Sequence, residues 1–464
     1  MDIRFTPHNT HKDGIKAFDE RDPQLRVLAS LPLVHHPALL DKLPRENPGI
    51  YTLGGGRQIG KTTLLKQWMK LLISCGTPAS NISFFTGELI DDHHALVRLL
   101  DEELSEMRSD SVRYLIIDEI SYIQGWDRGI KYLADAGLLE DTILMISGSD
   151  LSFLKETRMH FPGRRGKAEQ TDFHLYPLSF YEFLKLKNSI PDIRAVLRSS
   201  ELSMEILFAL LSEFEQYLLH GGYLTAINDV AQTGTINAST LSVYHEWIRG
   251  DVLKRGKQEN YLREILHSAI RRFGSQLTWN ALSKELSIDH PKTVSDYFEL
   301  LVSMDAVFIQ SALREDVLGP APKKAKKIAF TDPFIYHSIF YWLNPSKRPF
   351  EEQIKPSVMD PALSGRLTEA CVAVHFSRLY PTFYVKAEGE VDIAYVHNDR
   401  FFPIEVKWTG QLRPKDLKQI RKYSNGVIWS RSQTVKSIGG VPVEFLPLAL
   451  ARLAAGGRRR TVAG

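Results

Sequence analysis

Three stretches of this 464-residue chain order their side chains in ways that suit phosphate chemistry. In the first, Gly55-Gly56-Arg57-Gln58-Ile59-Gly60-Lys61-Thr62 fits the spacing GxxxxGK[ST], directly after the strand-like Ile50-Tyr51-Thr52-Leu53 and directly before an amphipathic helix start at Thr63-Leu64-Leu65. Glycines allow consecutive backbone N–H groups to turn inward as an anion cradle, and the N-terminus of the following helix adds partial positive charge. Lys61 is then expected to reach the β- and γ-phosphates of ATP, and the Thr62 hydroxyl to ligate Mg2+. A bland glycine loop would need neither flank.

The second stretch is Tyr114-Leu115-Ile116-Ile117-Asp118-Glu119, four apolar residues that read as a buried strand ending in two acids. Alone, the pair would read as a solvated strand end; after a phosphate loop at this distance, Asp118 is expected to hold Mg2+ through water and Glu119 to polarise the attacking water. A further apolar run, Thr142 to Ile146, ends in Ser147-Gly148-Ser149, with Ser149 a candidate sensor of the γ-phosphate. Arg164, set with Arg165 between Gly163 and Gly166, is a candidate for stabilising transition-state charge, in its own subunit or across a homo-oligomer contact; a plain surface turn explains it equally well.

The third set lies near the C-terminus. In Ile404-Glu405-Val406-Lys407 the two-residue period of a strand puts Glu405 and Lys407 on one face. Glu390-Val391-Asp392-Ile393 alternates likewise, so a neighbouring strand would bring Asp392 beside Glu405. Two carboxylates with a phosphate oxygen can hold Mg2+, and Lys407 would orient or activate water. Glu369 must point off the apolar helical stripe of Leu367, Ala370, Cys371 and Val374, which makes Cys371 core. The same spacing of Asp, Glu and Lys also arises by chance in a solvated hairpin, and the residues alone leave both readings open.

The elements that must position these groups fall into segments. After a polar N-terminal arm, residues 1–45, short apolar runs alternate with helical patterns through residues 46–185, as in a parallel α/β sheet with crossover helices. Residues 186–255 turn helical, with Met204 to Leu219 apolar at helical spacing until His220-Gly221-Gly222 stops it, which suggests a helical lid. Residues 256–350 read helix, helix, turn, helix and strand, a winged-helix pattern. There Pro291 opens a helix whose first turn carries Lys292 and Thr293, followed by Ser295 and Tyr297, placed as a recognition helix would place them. Lys323, Lys324, Lys326 and Lys327 stand where a wing would contact DNA phosphates without reading sequence. A solvated basic hairpin and a helical pair used only for packing are the alternative. Residues 355–455 form a small α/β unit.

With 43% hydrophobic and 24% charged residues the composition is that of an ordinary globular chain, and a net charge of +3 permits a nucleic-acid partner without demanding one. Cys75 and Cys371 have neither zinc-site nor disulfide-framework spacing, which suits a reducing cytosol. No signal-peptide order and no apolar run long enough to span a bilayer are visible, so a soluble cytoplasmic protein without a membrane partner is expected.

Taken together, GGGRQIGKTTLLKQ, IIDEISYIQGWDRGIKYLADAG, ISGSD, LYPLSFYEFL, YLLHGGYLTA, KKIAFTDPFIYH, GRLTEACV, EVDIAYV and PIEVKW resemble a large bacterial and archaeal family of AAA-type ATPases with a C-terminal domain of unknown function. The likeness covers nearly the whole chain. It implies an AAA-type P-loop NTPase core, a winged-helix segment and a C-terminal domain similar to restriction endonucleases of the PD-(D/E)xK kind. That domain would carry a metal site at Asp392, Glu405 and Lys407, with Glu369 in support. The family usually has Pro where this chain has Gly56, and a run of serines where it has Ser149-Asp150. Two functions of different class follow: an ATP-driven enzyme acting on DNA with little sequence preference, or an ATP-dependent switch that binds another protein through a catalytically silent nuclease-like domain.

Overall fold

The computed structural model describes residues 2–108, 111–150, 157, 159, 161, 163–412 and 417–456. The chain forms two compact units, Met1–Tyr176 with Ser303–Asp305, and Pro177–Val302 with Ala306–Gly464. Among the described residues no helix is long and apolar enough to cross a membrane.

The first unit is built on a sheet of β1 (Gly49–Gly54), β2 (Ile82–Thr86), β3 (Arg113–Asp118), β4 (Thr142–Gly148) and β5 (Asp172–His174), in the order β2-β3-β4-β1-β5. All its pairs are parallel. The expected parallel α/β sheet is therefore present, and near-continuous apolar runs form it because both faces are covered by helices. Along β3 the two-residue period divides the side chains. Tyr114 and Ile116 join Leu64, Trp68 and Met69 of α3 (Lys61–Ser74), where α1 is Ile15–Arg21 and α2 is Pro23–Ala29. Leu115 and Ile117 join Leu96 and Leu100 of α4 (His93–Glu106) and Ile130 of α5 (Trp126–Asp135).

The N-terminal residues pack into this unit rather than trailing from it. Phe5 enters one core, while Phe18, Leu25 and Leu43 enter the other. Lys66 of α3 is fully buried, 3.0 Å from the buried Asp22 carboxylate at the N-cap of α2. It also donates to His8 O at 2.6 Å and lies 3.7 Å from the centre of the Phe84 ring. An ammonium can be held inside a core only when paired in this way.

In the second unit helix Phe180–Lys187 comes first, and the segment expected to be helical, residues 186–255, then holds helices Ile193–Arg198, Met204–His220, Leu224–Thr233 and Ala238–Lys254. Helix Met204–His220 stops where Gly221 takes φ +59°. A side chain there would strike Asp332, whose carboxylate accepts from Gly222 N–H and Phe334 N–H, both at 2.9 Å. Burial pushes the Asp332 carboxyl up to about 7.

Helices Glu259–Arg271, Trp279–Ser283 and Pro291–Ser303 accompany an antiparallel sheet of β6 (Gln276–Leu277), β7 (Val307–Ser311) and β10 (Lys326–Phe330), in the order β6-β10-β7. A short hairpin, β8 (Leu313–Arg314) with β9 (Gly319–Pro320), lies between β7 and β10.

Helix Pro361–Ser377 precedes a six-stranded sheet of β11 (Thr382–Lys386), β12 (Glu390–His397), β13 (Arg400–Lys407), β14 (Val427–Ser430), β15 (Ser437–Ile438) and β16 (Val441–Phe445), in the order β11-β12-β13-β14-β16-β15. β11, β12 and β13 are antiparallel neighbours, whereas β13, β14 and β16 are parallel.

Candidate functional site

The loop between β1 and α3 is shaped by residues that tolerate unusual backbone. Gly55 has φ +148°, and a Cβ on it would lie 2.6 Å from Leu175 O, so only glycine fits against β5. Gly60 takes φ +101° at the N-cap of α3, and Gln58 is also left-handed. Lys61 is buried, and its ammonium donates to Gly55 O, Gly56 O and Ser149 Oγ, each at 3.0 Å, while Glu119 Oε1 lies 3.6 Å away. Burial lowers its pKa, opposed by the charges of Glu119 and Asp118.

Thr62 Oγ1 donates to Asp118 Oδ2 at 2.5 Å, and Ser147 Oγ donates to Asp118 Oδ1. Burial raises the Asp118 pKa against these two bonds. Glu119 stands at a left-handed φ of +54° directly after β3, which turns its carboxylate toward the loop. Its N–H donates to Ser147 Oγ at 3.0 Å, Ser149 Oγ donates to its Oε1, and its buried Oε2 has no hydrogen-bond partner. A magnesium nucleotide fits this donor set. A hydroxyl and a carboxylate share one coordination point, an ammonium lies beside them, and a buried carboxylate oxygen is available to a water.

The structure thus brings Lys61, Thr62, Asp118, Glu119 and Ser149 together. Ser147, which orders both acids, was legible only as part of a polar strand end. The remaining loop residues are less involved with this centre. Arg57 donates to Tyr122 Oη at 3.1 Å, Ile59 packs on the core, and Thr63 is half-buried in the first turn of α3.

Arg164 is placed elsewhere. It pairs with Asp135 at the C-terminal end of α5, and the adjacent Arg165 carbonyl abuts Gly49, the first residue of β1. The phosphate loop leaves the other end of that six-residue strand, roughly 17–20 Å away at about 3.3 Å per residue. Of the three roles left open for Arg164, in its own subunit, across a subunit contact or in a plain surface turn, the first would have to span this distance.

A second centre forms in the second unit. Ile393 pairs with Ile404, so continuing the register by one residue brings Asp392 level with Glu405. Asp392 Oδ2 accepts from Val406 N–H at 2.8 Å. Lys407 Nζ is 2.6 Å from Glu405 Oε1, and Glu405 Oε2 is buried without a partner. Burial, then the charge of Asp392, pushes Glu405 up to about 8 and Glu369 up to about 7. Asp392 and Glu405 raise the Lys407 pKa against the effect of burial.

Glu369, Glu390 and Asp392 have ligand oxygens within 4.8 Å of one another. Carboxylates so grouped fit a hard divalent cation. Glu390 was missed, although it shares a strand face with Asp392 two residues on; Gln276, which donates to it, had no local signal.

The basic candidates separate. Lys292 and Lys323 are exposed, and Thr293 is half-buried. Lys324 and Lys326 reach Lys386 O and Pro322 O at 2.9 and 3.2 Å. Two expectations are corrected. Tyr297 is buried and donates to Gln258 O, so it faces the core. Lys327 is buried against Glu369, Glu390 and Asp392, because the strand period turns it away from its neighbour Lys326.

Residues 47–184 match the family model described as "AAA domain", and residues 211–346 match one described as "Domain of unknown function (DUF8612)". The chain is 24% identical over 282 residues to an uncharacterized protein of Haemophilus influenzae, covering 58% of this chain and 64% of that one. It is 25% identical over 261 residues to uncharacterized protein MJ1544 of Methanocaldococcus jannaschii, covering 52% and 53%. The chain spans less than two thirds of the length of these curated relatives.

Similar solved structures include the Walker-type ATPase PABY2304 of Pyrococcus abyssi, at 14% identity over 63% of this chain and 91% of that one, with a TM-score of 0.42. Cdc6p from Pyrobaculum aerophilum is 14% identical over 69% and 92%, with a TM-score of 0.25. A parallel sheet, a glycine-rich loop opening α3, acids at the end of β3 and the family match coincide over residues 47–184, which have the AAA-type P-loop α/β fold.

Proposed function

We propose that the protein hydrolyses ATP at the β1–α3 loop and acts on DNA through its second unit. The observation that carries the reading is the convergence of Lys61, Thr62, Asp118 and Glu119 on one point beside the loop. In this reading the loop amides and Lys61 bind the phosphates, and Ser149 holds Lys61 and Glu119 in position. Thr62 and Asp118 would hold Mg2+, which would supply positive charge to the phosphates. Glu119 accepts a hydrogen bond from the attacking water and orients it in line with the γ-phosphorus. Arg164 acts only if a neighbouring subunit's nucleotide meets it.

The DNA part of the proposal rests on exposed lysines. Helices Trp279–Ser283 and Pro291–Ser303 with the sheet β6-β10-β7 have the order of a winged helix, and the exposed Lys292, Lys323 and Lys324, with the half-buried Lys326, are the cations it offers to phosphates. Helix Pro361–Ser377 and the sheet after it suit a restriction-endonuclease-like fold, in which Asp392, Glu405 and Glu369 would hold Mg2+ and Lys407 would hold a water at phosphorus. Exposed lysines without base-reading partners give salt-dependent binding with little sequence preference. Replacing Lys323, Lys324 and Lys326 together by alanine should flatten the slope of log affinity against log salt by about 2–3; an unchanged slope removes these residues from the DNA surface.

A second reading, a catalytically silent acid centre used in binding a protein partner, is favoured by one observation, the burial of Lys327 among the acids. DNA cleavage with Mg2+ or Mn2+ that is lost in Asp392→Asn supports the first reading; intact DNA under all these conditions supports the second.

A further inference from the structure

Lys327 is enclosed by the acids of the second centre. Its ammonium is 2.8 Å from Glu369 Oε1 and 3.8 Å from Asp392 Oδ1, and it also pairs with Glu390 Oε1. The ring of Tyr384 closes another side, with its centre 5.4 Å away, and the Lys327 side chain is only 3% exposed. Three carboxylates from helix Pro361–Ser377 and β12 therefore converge on one cation donated by β10, and the same three acids form the group able to cage a metal.

Glu405 adds an independent sign that the centre accepts a further cation. Its side chain is 7% exposed, Lys407 takes Oε1, and Oε2 is buried without a hydrogen-bond partner. Asp392 and Glu369 act on it electrostatically. Across the centre, four carboxyls face two ammoniums. Leaving a buried carboxylate oxygen unmatched is costly, so the centre is short of positive charge even with both lysines in place.

We infer that Lys327 is a built-in counter-ion that competes with a divalent cation for Glu369, Glu390 and Asp392, so that the centre loads metal only as Lys327 withdraws with β10. This rests on the reading of the acid centre as a metal site. A metal sitting where three oxygens converge and the Lys327 ammonium cannot share that point, because both need the same lone pairs and repel each other. β10 is the middle strand of the β6-β10-β7 sheet and directly follows the exposed Lys323 and Lys324. Metal loading is thereby tied to the position of that module.

The test is titration of Mn2+ into the nucleotide-free full chain, followed by calorimetry, for wild type, Lys327→Met, Lys327→Arg and Lys327→Met with Asp392→Asn. The inference predicts at least tenfold tighter binding in Lys327→Met, wild-type behaviour in Lys327→Arg, and loss of the gain when Asp392→Asn is added. Equal affinity in wild type and Lys327→Met, with binding abolished by Asp392→Asn, would overturn the competition and leave the metal site standing. If no variant shows binding that depends on Asp392, the metal site and the competition fall together. Should Lys327→Met lose its cooperative unfolding transition, Lys327→Gln is read by the same criteria, since it keeps a donor to Glu369 without the charge.

Discussion

Glu119 and Lys327 each show what one backbone position decides. Glu119 leaves β3 with a left-handed φ, which brings its carboxylate to within 3.6 Å of Lys61 instead of continuing the strand. The phosphate loop, Asp118 and Glu119 were legible because their chemistry is local: glycines, a lysine, a hydroxyl and two strand-end acids within short windows. The acid centre was legible at Asp392, Glu405 and Lys407 because strand period two is also local. Lys327 was misread for the opposite reason. A run of four lysines looks like one solvated face, and only the partner acids, distant in sequence, show that the strand turns one of them inward. For the loop itself, Lys61→Ala should weaken ATP binding by at least tenfold, since the buried ammonium beside the phosphates is removed. A fluorescent nucleotide titration checks this, and near-wild-type affinity would remove Lys61 from the phosphate site.

At the scale of elements, buried polar pairs fasten segments that sequence patterns treat as separate. The N-terminal residues read as an arm because their polarity hides Phe5, Phe18 and Leu25, and no periodicity joins Asp22 to Lys66, 44 positions later. Asp22→Ala strands an ammonium in the core and is expected to destabilise the first unit by about 3–5 kcal/mol. Chemical denaturation measures this, and a loss under about 1 kcal/mol would mean that Lys66 finds water instead.

His375 of helix Pro361–Ser377 joins a second pair of elements. Its Nε2 accepts from Phe180 N–H at 3.1 Å, and its Nδ1 lies 2.7 Å from Cys371 O, which fixes a neutral ring. Burial pushes its pKa down to about 3, with the charge of Arg378 acting the same way. Because the unfolded chain binds this proton near the ordinary value of 6.5 and the folded chain does not, the residue's contribution is complete above about pH 6.5 and is lost as pH falls toward 3. The stability difference between wild type and His375→Gln should therefore shrink on acidification through that window. A difference independent of pH would show that the ring is not held neutral.

For the whole molecule, the two units divide the chemistry. The first carries the phosphate loop on a parallel sheet, and the second carries the exposed lysines and the acid centre. The order of apolar runs made the five-stranded sheet visible in advance, and the alternation along β12 and β13 made that pair visible, whereas pairings such as β6 with β10 join short strands far apart in sequence that no local pattern encodes. The central claim is that the first unit hydrolyses ATP with Glu119 positioning the water. Its most direct measurement is phosphate release by the full chain with Mg2+ and ATP, in wild type and in Glu119→Gln, alongside nucleotide affinity for both. The account predicts turnover by wild type, at least a hundredfold slower turnover by Glu119→Gln, and ATP affinity kept within a few-fold. Undiminished phosphate release by Glu119→Gln, or none from a wild-type chain that binds ATP, would contradict it.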